Sequence, residues 1–156
     1  MKNKFKKVIA ALTATASIAT GMVGIGASAA NTKDVYYTFN VDVDEWSGYK
    51  VTSAGKKENS TSVYACLDTT GKYINAQTQG SYSPNNYYTN YTSRGTVTLT
   101  SGSWEIYNSI YESIVQSGNH SEAFARLKLW AANSSSAGHI SGAYSPDCAG
   151  HYNVAN

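Results

Sequence analysis

A strict period of two near residue 40 constrains the fold of this chain more than any other feature. Val35, Tyr37, Phe39, Val41 and Val43 alternate with Tyr36, Thr38, Asn40, Asp42 and Asp44. Successive strand side chains point to opposite faces, so this pattern predicts a strand with one buried face. Similar β-forming runs occupy residues 62–67, 72–78, 96–100, 124–131 and 140–144. In the run 124–131, Phe124, Arg126, Lys128 and Trp130 fall on one side and Ala125, Leu127, Leu129 and Ala131 on the other. Turn signals separate these runs. Trp46-Ser47-Gly48-Tyr49 precedes a short return strand over 49–53, and Asp68-Thr69-Thr70-Gly71 reads as a hairpin turn. Residues 54–60, 79–93 and 133–138 read as loop or turn. Six to eight short strands punctuated this way predict an all-β chain folded as a single small β-sandwich.

One segment breaks the pattern. From Ser103, a candidate cap, Trp104, Tyr107, Ile110, Tyr111, Ile114 and Val115 recur at helical spacing. A strand fits less well, because Asn108 and Glu112 interrupt the apolar side. The spacing predicts one short helix over residues 104–115.

Residues 1–30 carry the marks of a secretory signal peptide. Lys2, Lys4, Lys6 and Lys7 form a basic start, an uncharged stretch follows from Val8, and Ala27-Ser28-Ala29-Ala30 supplies the small residues a signal peptidase accepts. The uncharged stretch is long enough to span a bilayer, so a retained anchor is the alternative. Its Thr, Ser, Gly and Ala content favours cleavage. The expected organisation is therefore a leader over 1–30 and one secreted, β-rich domain over 31–156.

Removing the leader reverses the charge. The whole chain is formally +2, but the mature part has eight Lys and Arg against ten Asp and Glu, a net charge of −2. Nucleic-acid binding announces itself as clustered positive charge, and the densest cluster, Lys56-Lys57, is followed at once by Glu58. No nucleic-acid partner is expected.

Motifs for chemistry are sparse. His120, His139 and His151 lie in no metalloprotease pattern, and no Gly-x-Ser-x-Gly elbow occurs. Asp42, Asp44 and Glu45 form an acidic group that reads either as oxygen ligands for calcium or as a solvated strand face. No metal site, cofactor or catalytic residue is assigned, and a non-enzymatic protein is expected. Cys66 and Cys148 are the two cysteines. An even count in an oxidising compartment predicts a disulfide between them, restricting the unfolded chain by roughly 4 to 5 kcal/mol. Two free thiols are the alternative. Tyr82, Tyr87, Tyr88 and Tyr91 are the candidate ligand surface, and the three tryptophans join them as a candidate platform, since aromatic faces beside Asn and Ser suit sugar rings or peptides. Trp104 and Trp130 sit on apolar patterns and read as core. Packing within the fold is the other reading of these tyrosines.

The chain resembles a family of small secreted proteins from Gram-positive bacteria of unknown function. The resemblance is carried by Lys57-Glu58-Asn59-Ser60-Thr61-Ser62-Val63-Tyr64, by residues 106–112, and above all by Ser141-Gly142-Ala143-Tyr144-Ser145-Pro146-Asp147. Family members tend to end in Trp-Ser-Pro-Asp, and here Tyr144 takes the aromatic place. Tyr144, Ser145, Pro146 and Asp147 are expected to form a structural motif, with Pro146 presetting a turn and Asp147 satisfying its donors. The resemblance implies the company of bacteriocin and peptide-export systems and brings no catalytic residues. The expected function is surface interaction by a secreted protein, bacteriocin-like or bacteriocin-accessory. A carbohydrate- or cell-wall-binding module is the alternative. Partners would be the cell envelope, a glycan or a membrane protein.

Overall fold

Eleven strands lie in two sheets in a computed structural model that describes residues 30–155. They are β1 (Val35–Val41), β2 (Lys50–Val51), β3 (Gly55–Lys57), β4 (Val63–Leu67), β5 (Ile74–Ser81) and β6 (Thr89–Asn90). Then come β7 (Val97–Leu99), β8 (Gly102–Ile106), β9 (Ala123–Ala131), β10 (Gly138–Ser145) and β11 (Asn153–Val154). One sheet runs β1-β10-β4-β8-β11, and the other runs β2-β9-β5-β6, with β3 also on β9 and β7 also on β5. All pairs are antiparallel except β11 on β8. The fold is all-β, consistent with a small sandwich. The expected leader, apart from Ala30, lies outside the described residues.

The period-two pattern places the core. Val63, Ala65 and Leu67 of β4, Ile106 of β8 and Ile140 of β10 are buried, as are Ile74 and Ala76 of β5. Ala123, Ala125, Leu127, Leu129 and Ala131 give β9 an unbroken buried face. Burying each of the larger aliphatic side chains contributes about 1.5–3 kcal/mol. Gly142 on β10 is needed for close approach. A Cβ there would lie 2.0 Å from the Cys66 carbonyl oxygen and 2.6 Å from the Tyr37 hydroxyl, which itself donates to that carbonyl at 2.8 Å.

The structure corrects the helix expected over residues 104–115. Its first part is β8, where Ala65 pairs with Trp104 and Val63 with Ile106. Only residues 110–116 turn helically, with Glu112–Gln116 as a single π-type turn. The apolar spacing at Ile110 and Ile114 was a sound helical signal, since both are buried. Trp104 and Ile106 instead satisfy their backbone groups against the open edge of β4, and β-branched and aromatic residues favour that pleated surface. Two loop assignments also change. Residues 54–60 contain β3, and residues 79–93 begin with the end of β5 and include β6.

The expected disulfide is not formed. Cys66 and Cys148 are both free thiols, and the reason is positional. The Cys148 amide donates to Thr61 Oγ1 at 3.2 Å, whereas Cys66 sits five residues further along toward the far end of β4. That run spans roughly 16 Å, well beyond the ~7 Å Cα separation a bridge tolerates. Burial pushes both thiols above the ordinary cysteine value. Thiol titration of the denatured, never-reduced protein should count two thiols per chain, and reductant should leave the melting temperature unchanged. A zero count, with reductant lowering that temperature, would restore the bridge.

Candidate functional site

The outward face of the β2-β9-β5-β6 sheet carries the best-formed site. Because the inward residues of β9 fill the core, Arg126, Lys128 and Trp130 point the other way. Register sets them beside Gln79, Gln77 and Asn75 of β5, respectively. The result is a ladder of amides against two cations and an indole. Asn75 Oδ1 accepts from Thr98 Oγ1 at 3.0 Å, and Gln77 Nε2 donates to Thr96 Oγ1 at 2.9 Å. The face is therefore polar yet internally braced.

A groove of about 500 Å³ lies over this ladder. Trp46 and Tyr49 form one wall, Asn85, Asn86, Tyr87 and Tyr88 the other, and Gln79, Arg126 and Lys128 complete the lining. Its size falls within the range of small-ligand sites. The two cations are held against aromatic rings. Arg126 Cζ lies 4.0 Å from the Tyr88 ring centroid, and its Nε donates to Gln79 Oε1 at 2.9 Å. Lys128 Nζ is 4.7 Å from the Tyr49 ring centroid, 5.2 Å from Trp130 and 5.4 Å from Trp46. Glu45 Oε1 faces it at 3.3 Å and also accepts from Gln77 Nε2. Desolvation in the groove lowers the Arg126 pKa and raises that of Tyr88, each partly offset by the other's proximity.

The β1–β2 turn that presents Trp46 is built by Asp44. Its carboxylate accepts from the Trp46 amide at 2.8 Å and from the Ser47 hydroxyl, and these bonds hold its pKa below the ordinary aspartate value. Asp42 accepts from the Val43 amide at 2.7 Å. The acidic group near residue 44 thus serves the turn and, through Glu45, the cation of the groove. Trp46 itself is 83% exposed.

The four candidate tyrosines divide between two clefts. Tyr87, 94% exposed, and Tyr88 line the main groove. Tyr82 and Tyr91 line a second cleft of about 350 Å³ on the other side of Tyr87, where Tyr82 stacks on His120 with centroids 4.2 Å apart. Tyr91 also packs against the core. Sequence reasoning placed Trp46 among the platform aromatics but missed Tyr49, Gln79, Arg126 and Lys128 as site residues. The available signal was the side of β9 that carried two cations and a tryptophan opposite the core residues.

The C-terminal motif performs a different task. Tyr144 crosses the sandwich, its hydroxyl donating toward the Ser53 and Ala125 carbonyls at 2.5 and 3.0 Å. Burial pushes its pKa up to about 12. Ser145 Oγ donates to the Asp147 carbonyl at 3.0 Å. Pro146 covers Gly55, where a Cβ would come within 2.4 Å of the proline ring. Asp147 is wholly buried with Lys57. Lys57 Nζ donates to Asp147 Oδ1 at 2.7 Å, to the Thr61 carbonyl at 2.6 Å and to the Pro146 carbonyl at 2.9 Å. Burial draws the Lys57 pKa below the ordinary lysine value, against the pull of Asp147. Two of the three segments that carried the family resemblance, 57–64 and 141–147, therefore meet in one buried ion pair.

These features define a class: a two-sheet, all-β protein with an aromatic-walled polar groove on one outer face. The chain belongs to the family described as Protein of unknown function (DUF2712), whose model matches residues 25–148. Neither the curated proteins nor the solved structures contain a match.

Proposed function

We propose that this chain is a secreted, non-enzymatic binding protein whose groove takes a glycan of the cell envelope. The observation that carries this reading is the groove itself. It combines exposed rings at Trp46 and Tyr87, amides at Gln79, Asn85 and Asn86, and partly desolvated cations at Arg126 and Lys128. Sugar rings offer apolar faces to aromatic side chains and hydroxyls to amides, and the preset polar groups fix orientation. The cations favour a glycan bearing carboxylate or phosphate groups. A bacteriocin-like or bacteriocin-accessory role belongs to this proposal only through the company implied by the resemblance.

Sedimentation of purified mature protein with isolated Gram-positive cell walls tests the reading, with growth of the same cells followed in parallel. The expected result is saturable co-sedimentation that soluble wall polysaccharide competes away. Growth arrest would add the bacteriocin-like role. Protein that stays in the supernatant would overturn the glycan reading.

A further inference from the structure

The first residue after the expected leader is docked on the buried carboxylate of the C-terminal motif. The Asn31 amide donates to Asp147 Oδ2 at 2.7 Å, and the Asp147 amide donates back to the Asn31 carbonyl at 3.2 Å. Asn31 Nδ2 adds a bond of 2.8 Å to the Lys56 carbonyl. Three bonds thus fix one residue only 31 positions into the sequence, and two of them engage a residue that is wholly buried. Asp147 Oδ1 is taken by Lys57, whereas Oδ2 accepts from the amides of Asn31 and Glu58.

We propose that Asp147 is the binding site for the α-ammonium group of the chain's own processed N-terminus at Asn31. This inference rests on the secretion reading. A signal peptidase adds water across the Ala30–Asn31 bond, leaving a carboxylate on Ala30 and a protonated amine on Asn31. The nitrogen that donates to Asp147 as a neutral amide in the unprocessed chain then carries a full positive charge. Charge-assisted bonds are roughly twice as strong as neutral ones. Asn31 is half-buried, so the remaining ammonium hydrogens keep contact with water while one faces the carboxylate. Processing therefore strengthens a contact that joins the N-terminus, the end of β3 and the segment after β10, and the mature chain is held more firmly than its precursor.

The test has two stages. Mass spectrometry of the secreted protein places its first residue. Asn31 is expected. Another mature start overturns the inference while leaving secretion intact, and an uncut leader overturns both. The second stage compares protein with a free Asn31 amine against the same chain N-acetylated there, which restores a neutral amide and leaves Asp147 and Lys57 untouched. The free-amine form should melt about 3–6 °C higher. Its α-amine should also react with an acylating reagent on the order of tenfold more slowly in the folded than in the unfolded protein, because the carboxylate beside it holds the amine in its protonated, unreactive form. Equal melting temperatures with equal reactivity would overturn the proposal.

Discussion

Asp147→Asn is expected to destabilise the protein by about 3–5 kcal/mol, because it leaves Lys57 charged and buried without its counter-ion. Both side chains of the pair are fully inaccessible, so no water replaces the lost carboxylate. The amide would keep one acceptor for Lys57 but would turn a donor toward the amides of Asn31 and Glu58, which now share Oδ2. For a domain of this size the melting temperature should fall by roughly 10–20 °C, read by circular dichroism. Lys57→Met should also destabilise, by stranding the carboxylate. Combining Lys57→Met with Asp147→Asn should cost clearly less than the two single losses added together, the signature of direct coupling. A loss under about 1 kcal/mol for Asp147→Asn would refute the account of the end motif.

Trp46→Ala is expected to do the reverse: stability stays within about 0.5 kcal/mol, while affinity for wall glycan falls about tenfold or more. The indole is mostly exposed and stands on a turn braced by Asp44, so removing it opens no cavity. With Tyr49 it also forms the wall of the groove opposite Tyr87 and Tyr88, and a truncated aromatic anchor commonly costs about 2 kcal/mol or more. Equilibrium titration with soluble wall polysaccharide, beside a thermal melt of the same sample, reads both quantities. Unchanged affinity would remove Trp46 from the site.

The sandwich was legible because period two survives wherever one face of a sheet is buried. The strand that begins at Val35 and the two sides of β9 follow from alternation. The alternation runs on to Asp44, whereas β1 ends at Val41, where Asp42 and Asp44 turn the chain. Short edge strands such as β3, β6 and β11 were not legible, since two or three residues carry no period and form only against a neighbour already in place. Residues 104–106 misled because apolar residues there match a helix while their hydrogen bonds go to β4. The site was half legible. The tyrosines of the 82–91 segment could be singled out by density alone. Their opposite wall comes from a turn some forty residues earlier and their floor from β9, a juxtaposition that only the register of β5 and β9 creates. The end motif could be recognised, but its partner Lys57 could not, because two residues 90 positions apart leave no local trace of an ion pair.

Nuclear magnetic resonance of the mature protein, titrated with a soluble, negatively charged wall glycan, tests the central claim most directly. The three tryptophans report from separate places: Trp46 on the groove wall, Trp130 beneath it, and Trp104 on the opposite sheet with its indole donating to the Thr100 carbonyl. The account predicts saturable shifts of the Trp46 indole and of the Gln79 and Asn86 side-chain amides, with Trp104 unmoved. No shifts at millimolar glycan, or shifts confined to the sheet that carries Trp104, would contradict it.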